Sequence, residues 1–163
     1  MVAGLLGNES SDSNRFTLVT PKSENDVRLQ ATLGNQNPTG KPVGVVSKDD
    51  VADIMDSVLN ADVVVWATPI YYYEMSGQMK TLIDRLNPMY SKDYKFRDVY
   101  LLAAAAEEGD EVFEKVITGL NGWIDCFEKT TIKGIVLTGG VSDGGAISGN
   151  DKLKEAYDLG SHV

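Results

Sequence analysis

Three consecutive tyrosines, Tyr71 to Tyr73, form the part of the chain best suited to binding a small molecule. Tyrosine rings can pack on the face of a flat ligand, and their hydroxyl groups can orient it. Ser76 follows and can cap the start of a helix, where backbone N–H groups and the helix dipole favour negative charge. The loop at residues 68–76 is therefore the candidate site, although such tyrosines would also suit ordinary packing or a contact between two copies of the chain.

The elements on either side of this loop can be predicted from the pattern of apolar residues. Residues 62–67, DVVVWA, form an apolar run without alternation, which is typical of a central parallel strand covered on both faces. Thr68 and Pro69 are predicted to end the strand, because proline cannot donate a ladder hydrogen bond. A helix is predicted after Ser76 from apolar residues at the spacing i, i+3, i+4 and i+7, namely Met79, Leu82, Ile83 and Leu86. In open α/β sheets ligands bind outside the carboxyl ends of strands, where this loop would lie.

Strands and helices alternate along the rest of the chain. Further strands are predicted at residues 1–7, 15–20, 99–103 and 134–137, and helices around 51–59, 112–124 and 153–157. Asp49 or Asp50 can cap the first of these helices, and Tyr157 is expected to face inward in the last. The alternation indicates βαβ units and a parallel sheet. We expect one α/β domain over residues 1–163, a three-layer sandwich with a five-stranded parallel sheet, in which residues 21–44 form an irregular segment.

Composition excludes several classes of function. The chain has 163 residues, 42% of them hydrophobic, and a net charge of −9, so nucleic acid and anionic membranes are unfavourable partners. We find no apolar run of about 18 residues and no signal segment, so we expect a cytoplasmic protein. Cys126 is the single cysteine, which excludes an intramolecular disulfide and a cysteine-rich zinc or iron–sulfur site within one chain. We expect Cys126 to serve packing.

Residues 68–85, TPIYYYEMSGQMKTLIDR, resemble the flavin-ring loop and following helix of the flavodoxin-like NAD(P)H-dependent FMN reductases and their iron–sulfur flavoprotein relatives. The resemblance extends over residues 45–163. It implies an FMN-dependent oxidoreductase that transfers electrons from NAD(P)H to a quinone, a flavin or a similar small-molecule acceptor. It also implies a homodimer with the site at its interface, where Tyr72, Tyr73, Met89 and Tyr90 could contribute. No general acid or base is required of the protein, because the cofactor supplies the hydride chemistry.

The resemblance further implies which residues bind the cofactor. Ser10, Ser13 and Asn14 would hold the phosphate; Thr68, Pro69, Ile70, Tyr71, Tyr72, Tyr73, Met75 and Ser76 would surround the ring; and Ala104, Gly139 and Gly140 would lie on neighbouring loops. The helix start near Ser76 would favour the negative charge that accumulates on the flavin when it is reduced. No catalytic or metal-binding residue is assigned. The cysteine cluster of the iron–sulfur relatives is absent, so no cluster is inferred.

The first loop departs from the family pattern. Family members carry a Gly-Ser-x-Arg-x-x-Ser-x-Thr-like phosphate loop, and the best match here is residues 7–15, GNESSDSNR. Glu9 and Asp12 place negative charge where a phosphate would lie, and strand-like sequence follows in place of the expected helix. Two alternatives stay open. Either Ser10, Ser11, Ser13, Asn14 and Arg15 hold the phosphate in a modified loop, or FMN binds weakly or not at all and the chain is a non-catalytic binding or electron-carrier module.

Overall fold

The structure is a computed structural model that describes residues 50–162. The predicted strands at 1–7 and 15–20, the irregular segment at 21–44 and the predicted phosphate-binding residues Ser10, Ser13 and Asn14 lie outside the described residues. Within residues 50–162, no helix is both long enough and apolar enough to cross a membrane.

Four strands form one mostly parallel sheet in this part of the chain. They are β1 (Val63–Tyr71), β2 (Glu74–Met75), β3 (Asp98–Ala104) and β4 (Thr131–Thr138). Their spatial order is β2-β1-β3-β4, with β1, β3 and β4 parallel and β2 antiparallel to the end of β1. The predicted α/β class is confirmed, and three of the predicted strands are present. A five-stranded sheet is not seen in the described residues. The fourth strand, β2, was not predicted, because two residues are too few to show a pattern of apolar residues.

The prediction that Thr68 and Pro69 end the first of these strands is wrong. β1 continues through both residues to Tyr71. Pro69 is the last residue of β1 that pairs with β3, opposite Ala104, and the next two residues pair with β2 instead. A proline is tolerated there because it lies where one ladder ends and the strand changes its partner.

Four α-helices flank the sheet: α1 (Val51–Asn60), α2 (Gly77–Arg85), α3 (Glu114–Ile124) and α4 (Asp151–Gly160). All four were predicted, although a 3-10 turn, Asp110–Phe113, replaces the expected first turn of α3. Asp50 precedes α1 but makes no side-chain capping bond. Two predictions of burial are wrong, because Tyr157 is 63% exposed and Cys126 is also exposed.

The helices cover both faces of the sheet, which produces the expected layers. Side chains of α1, α2 and α3 pack with Val64, Trp66 and Leu101 on one face, and α4 packs against Leu102 and Val136 on the other. An aromatic cluster fills the first face below α3, where Trp66 meets Trp123 edge-on with ring centroids 5.3 Å apart. The cluster also contains Tyr94, Phe96 and Phe127.

The loops that follow β3 and β4 are joined by backbone hydrogen bonds. The Val141 N–H donates to the Ala105 carbonyl oxygen over 2.9 Å, and the Gly140 N–H donates to the Glu107 carbonyl oxygen over 3.3 Å. Gly139 lies so close to this neighbouring loop that an added Cβ would be 2.8 Å from the Glu107 carbonyl oxygen. Glycine is therefore required here for close approach of two backbones.

We predict that Gly139→Ala destabilises the protein by about 1–3 kcal/mol, because the new methyl group must displace backbone atoms. Urea denaturation followed by circular dichroism measures this change. Gly144→Ala is the matched control, since an added Cβ at Gly144 meets nothing within 4 Å. Equal stabilities of the two variants would contradict the close approach.

Candidate functional site

The chain reverses direction at Tyr72 and Tyr73, between β1 and β2. Both residues have left-handed backbones, with φ of 53° and 66°. Two successive positive φ values are typical of a type I′ hairpin turn, in which asparagine and glycine are the usual residues. A bulky aromatic residue in this conformation costs about 1–3 kcal/mol, and such strain occurs preferentially at functional sites.

A buried hydroxyl group connects the two sides of this hairpin. Thr68 is fully buried; its hydroxyl donates to the Pro69 carbonyl oxygen over 2.8 Å and accepts from the Ser76 N–H over 3.0 Å. Ser76 in turn caps α2, because its side-chain oxygen accepts from the Met79 N–H over 3.2 Å. The predicted helix cap at Ser76 is confirmed. The contact between Thr68 and Ser76 fixes where α2 begins relative to β1.

The hairpin forms one side of an open cleft of about 390 Å³. The loop after β3 forms the other side, so the cleft lies at the carboxyl edge of two adjacent parallel strands. Its buried lining is apolar and consists of Ile70, Ala105 and Val112, while its exposed lining consists of Tyr71, Tyr72, Tyr73, Ala106 and Glu107. An apolar floor with aromatic and polar groups at the rim can hold a flat, partly polar ligand.

The structure brings some of the predicted ring-binding residues together and places others behind them. Ile70 and the three tyrosines line the cleft. Thr68, Met75 and Ser76 are buried behind the hairpin, and their described contacts are with the protein itself. Pro69 and Ala104 are half-buried and end the β1–β3 ladder. Gly139 and Gly140 contact Glu107 and Glu108, so they support the far side of the cleft.

Tyr73 is the most constrained of the three tyrosines. It is 39% exposed, whereas Tyr71 is 60% and Tyr72 is 96% exposed. The Lys115 ammonium lies 5.5 Å from the centroid of the Tyr73 ring, a cation–π distance. The Glu107 carboxylate, as an acceptor for the Tyr73 hydroxyl and as a nearby negative charge, raises the pKa of Tyr73, because loss of the phenol proton would place two negative charges together. Glu111 adds to this effect more weakly.

Four residues that line the cleft were not assigned to the site individually from the sequence, namely Ala105, Ala106, Glu107 and Val112. Glu107 belongs to an acidic loop whose members are alike by composition, and Val112 was assigned only to a helix face. The pairing of β1 beside β3 brings both to the cleft, because parallel neighbours present their carboxyl-terminal loops at the same edge. The sequence after the strand thus indicated that a loop would lie at this edge, but not which of its side chains line the cleft.

Comparison with known proteins identifies what this arrangement is similar to. The profile of the NADPH-dependent FMN reductase family matches residues 2–147. An iron–sulfur flavoprotein of Archaeoglobus fulgidus is 30% identical over 124 residues, which cover 72% of this chain and 52% of that protein. The chain therefore spans about half the length of this curated relative.

Solved structures share the fold. The Trp repressor binding protein of Bacillus subtilis superposes with a TM-score of 0.59 and 25% identity, covering 74% of each chain. An NADH:FMN oxidoreductase (EmoB), in its apo form, superposes with a TM-score of 0.55 and 20% identity, covering 72% of this chain and 59% of the other.

Removal of the buried hydroxyl should destabilise the hairpin. We predict that Thr68→Val lowers the free energy of unfolding by about 1–3 kcal/mol, because the buried Ser76 N–H loses its acceptor while the side-chain volume is unchanged. Thr118→Val is the control; Thr118 is exposed, its hydroxyl bonds within α3 to the Glu114 carbonyl oxygen, and its loss should cost less than about 0.5 kcal/mol. Chemical denaturation of both variants measures the difference, and similar losses would argue against the contact.

Relief of the backbone strain at Tyr72 should stabilise the folded protein. We predict that Tyr72→Asn raises the free energy of unfolding by about 1 kcal/mol, because asparagine tolerates a left-handed backbone and the exposed Tyr72 ring loses little packing. Tyr71→Asn is the matched control, since Tyr71 is adjacent and exposed but does not have a positive φ. Thermal unfolding at equal protein concentration compares them. A loss of stability in Tyr72→Asn would show that the turn is not strained.

Proposed function

Because this chain belongs to the NADPH-dependent FMN reductase family, we propose that it is an FMN-dependent oxidoreductase that passes electrons from NAD(P)H to a small-molecule acceptor, such as a quinone or a flavin. The observation that carries the proposal is the cleft between the tyrosine hairpin and the loop after β3. It lies at the carboxyl edge of a parallel sheet, the usual ligand position in this class of fold. The family profile covers the whole described part of the site.

The lining of the cleft fits an isoalloxazine ring. A volume of about 390 Å³ lies within the usual range of small-molecule sites, about 300–1,000 Å³. The ring system of FMN is flat and apolar over its faces, with polar atoms along one side, and tyrosine rings and hydroxyls match both properties. When bound, FMN would accept a hydride from the nicotinamide and pass the two electrons on to the acceptor.

The residues of this chain would bind and orient the cofactor. Tyr71, Tyr72 and Tyr73 would contact the ring, and the buried floor at Ile70 and Val112 would exclude water from beneath it. The contact between Thr68 and Ser76 would keep the start of α2 at a fixed distance from the hairpin. No side chain is needed as a general acid or base in this scheme.

We assign binding of the FMN phosphate to residues 7–15. Ser10, Ser13 and Asn14 would donate hydrogen bonds to the phosphate, against the unfavourable charge of Glu9 and Asp12. These residues lie outside the described part of the chain, so the argument for them is the family profile and their hydroxyl and amide groups. The single cysteine gives no basis for an iron–sulfur cluster within one chain, although the Archaeoglobus fulgidus relative is named an iron–sulfur flavoprotein.

The proposal also includes the oligomeric state, the domain organisation and the location of the protein. A homodimer with the site at its interface is consistent with the exposure of Tyr72 and Tyr90. Met89 cannot take part in such an interface as the sequence suggested, because its side chain is fully buried. The single-domain organisation over residues 1–163 and the cytoplasmic location expected from the sequence complete the proposal.

One spectroscopic experiment tests the function. FMN is added to the purified protein, excess cofactor is removed by gel filtration, and the visible spectrum is recorded before and after anaerobic addition of NADPH. We expect a retained flavin spectrum that bleaches with NADPH and returns when a quinone is added. FMN with NADPH and no protein is the control for the uncatalysed reaction.

A colourless protein that leaves the fluorescence of added FMN unchanged would replace this proposal with a non-catalytic module. Retained flavin that NADPH does not bleach would instead indicate a binding or electron-carrier role. The two outcomes separate loss of cofactor binding from loss of the reductive half-reaction.

A further inference from the structure

Lys115 is a cation in an acidic part of the chain. Five acidic residues precede it closely, namely Glu107, Glu108, Asp110, Glu111 and Glu114. None of the ion pairs among the described residues includes Lys115. Its ammonium instead lies 5.5 Å from the centroid of the Tyr73 ring, within the distance of about 6 Å at which a cation and an aromatic ring attract each other. The described contact of this ammonium is therefore with an aromatic ring and not with a carboxylate.

The packing of helix α3 on the hairpin explains why these two side chains meet. Gly119 of α3 lies against strand β2, where an added Cβ would be 3.6 Å from Met75 Cε. Lys115 is one helical turn before Gly119 on the same face of α3, and Tyr73 directly precedes β2. The next residue of the helix, Val116, is fully buried, so the backbone that carries Lys115 is anchored to the core. The fold therefore holds the two backbones close together.

Lys115 contacts the ring without occupying the cleft. Tyr73 lines the cavity, whereas Lys115 does not. Among the described residues, no cation lies over the ring of Tyr71 or Tyr72, the other two tyrosines of the cleft. The lysine can thus restrain one wall residue from outside the cavity, and a substitution at Lys115 leaves the lining itself unchanged.

We propose that Lys115 is a positioning residue, which holds the Tyr73 ring at the wall of the cleft so that a planar ligand binds to a surface already formed. Preorganisation of this kind increases affinity, because the side chain is ordered before the ligand arrives. The contact itself does not depend on the function proposed above, but the identity of the ligand as a flavin rests on that proposal.

A positive charge near the cleft would also attract the FMN phosphate directly, without any role for the Tyr73 ring. Two comparisons separate this effect from positioning. Riboflavin has the same ring system as FMN and lacks the phosphate, and Tyr73→Leu removes the ring that the ammonium contacts. If Lys115 positions the ring, its loss should weaken both ligands equally and should have no effect once Tyr73 is replaced.

The first test examines the contact in the protein without flavin. In proton–carbon correlation NMR spectra, the Lys115 Cε signal is identified as the one that Lys115→Met lacks. We expect its protons to lie upfield of those of other lysines, because they are near an aromatic face, and to move to the common position in Tyr73→Leu. Tyr71→Leu is the matched control and should leave the signal in place. A Lys115 signal that does not move in Tyr73→Leu would overturn the proposal.

The second test measures the affinity for FMN and for riboflavin by quenching of flavin fluorescence. We expect Lys115→Met to weaken binding of both about twofold to fivefold, the size of an exposed cation–π contact. Lys115→Arg, which keeps a cation, should retain the wild-type affinity. Lys129→Met is the matched control, since Lys129 is an exposed lysine that does not line the cleft, and its loss removes the same charge. Both affinities should be unchanged in this control.

A double-mutant cycle completes the second test. In the Tyr73→Leu background, Lys115→Met should cause no further loss of affinity. A loss that persists there, or that is confined to FMN, would show that Lys115 acts on the ligand through its charge and would overturn the proposal, as would unchanged affinities in Lys115→Met itself. If the wild-type protein binds neither flavin, the proposed function fails, while the NMR experiment still decides whether Lys115 holds Tyr73.

Discussion

The site depends on one backbone constraint, the left-handed conformation of two successive tyrosines. Without it, β1 would continue in its own direction and the chain could not return to pair as β2. The reversal brings Ser76 back beside Thr68, and the contact between these two residues sets the start of α2. Strand, cleft wall and helix cap are therefore consequences of the same turn.

The cost of that turn is offset by contacts on both of its sides. Behind the hairpin, Met75 is buried against the core, and Thr68 satisfies the Ser76 N–H. In front of it, the Lys115 ammonium lies over the Tyr73 ring. Tyr72, between these two sets of contacts, is almost wholly exposed. Such a residue contributes little to the folded state by itself, which is consistent with a role in binding.

Local sequence information was sufficient for elements whose apolar residues are periodic. The run before Thr68 predicted β1, and the spacing after Ser76 predicted α2, because burial on one or both faces imposes these patterns directly. The extension of β1 through Pro69 was missed, because it depends on a partner, β2, that exists only once the hairpin has formed.

The same limit applies to the site. Tyrosines after a strand indicated a cleft, but the opposite wall of that cleft, which includes Glu107, comes from a distant part of the chain that the pairing of β1 with β3 brings to the same edge. Tyr157 shows the converse error. Its helical spacing suggested an inward side chain, but α4 buries Ala156 and leaves Tyr157 at the surface. In a short helix with few apolar residues, the sequence does not define which face of the helix is buried.

The aromatic cluster below α3 has a consequence for optical measurements. Both tryptophans of the chain, Trp66 and Trp123, lie in that cluster, whereas the rings that line the cleft are all tyrosines. Indole emission will therefore monitor the seam between the sheet and α3. The cohesion of the protein interior can thus be followed through tryptophan emission, without an attached dye.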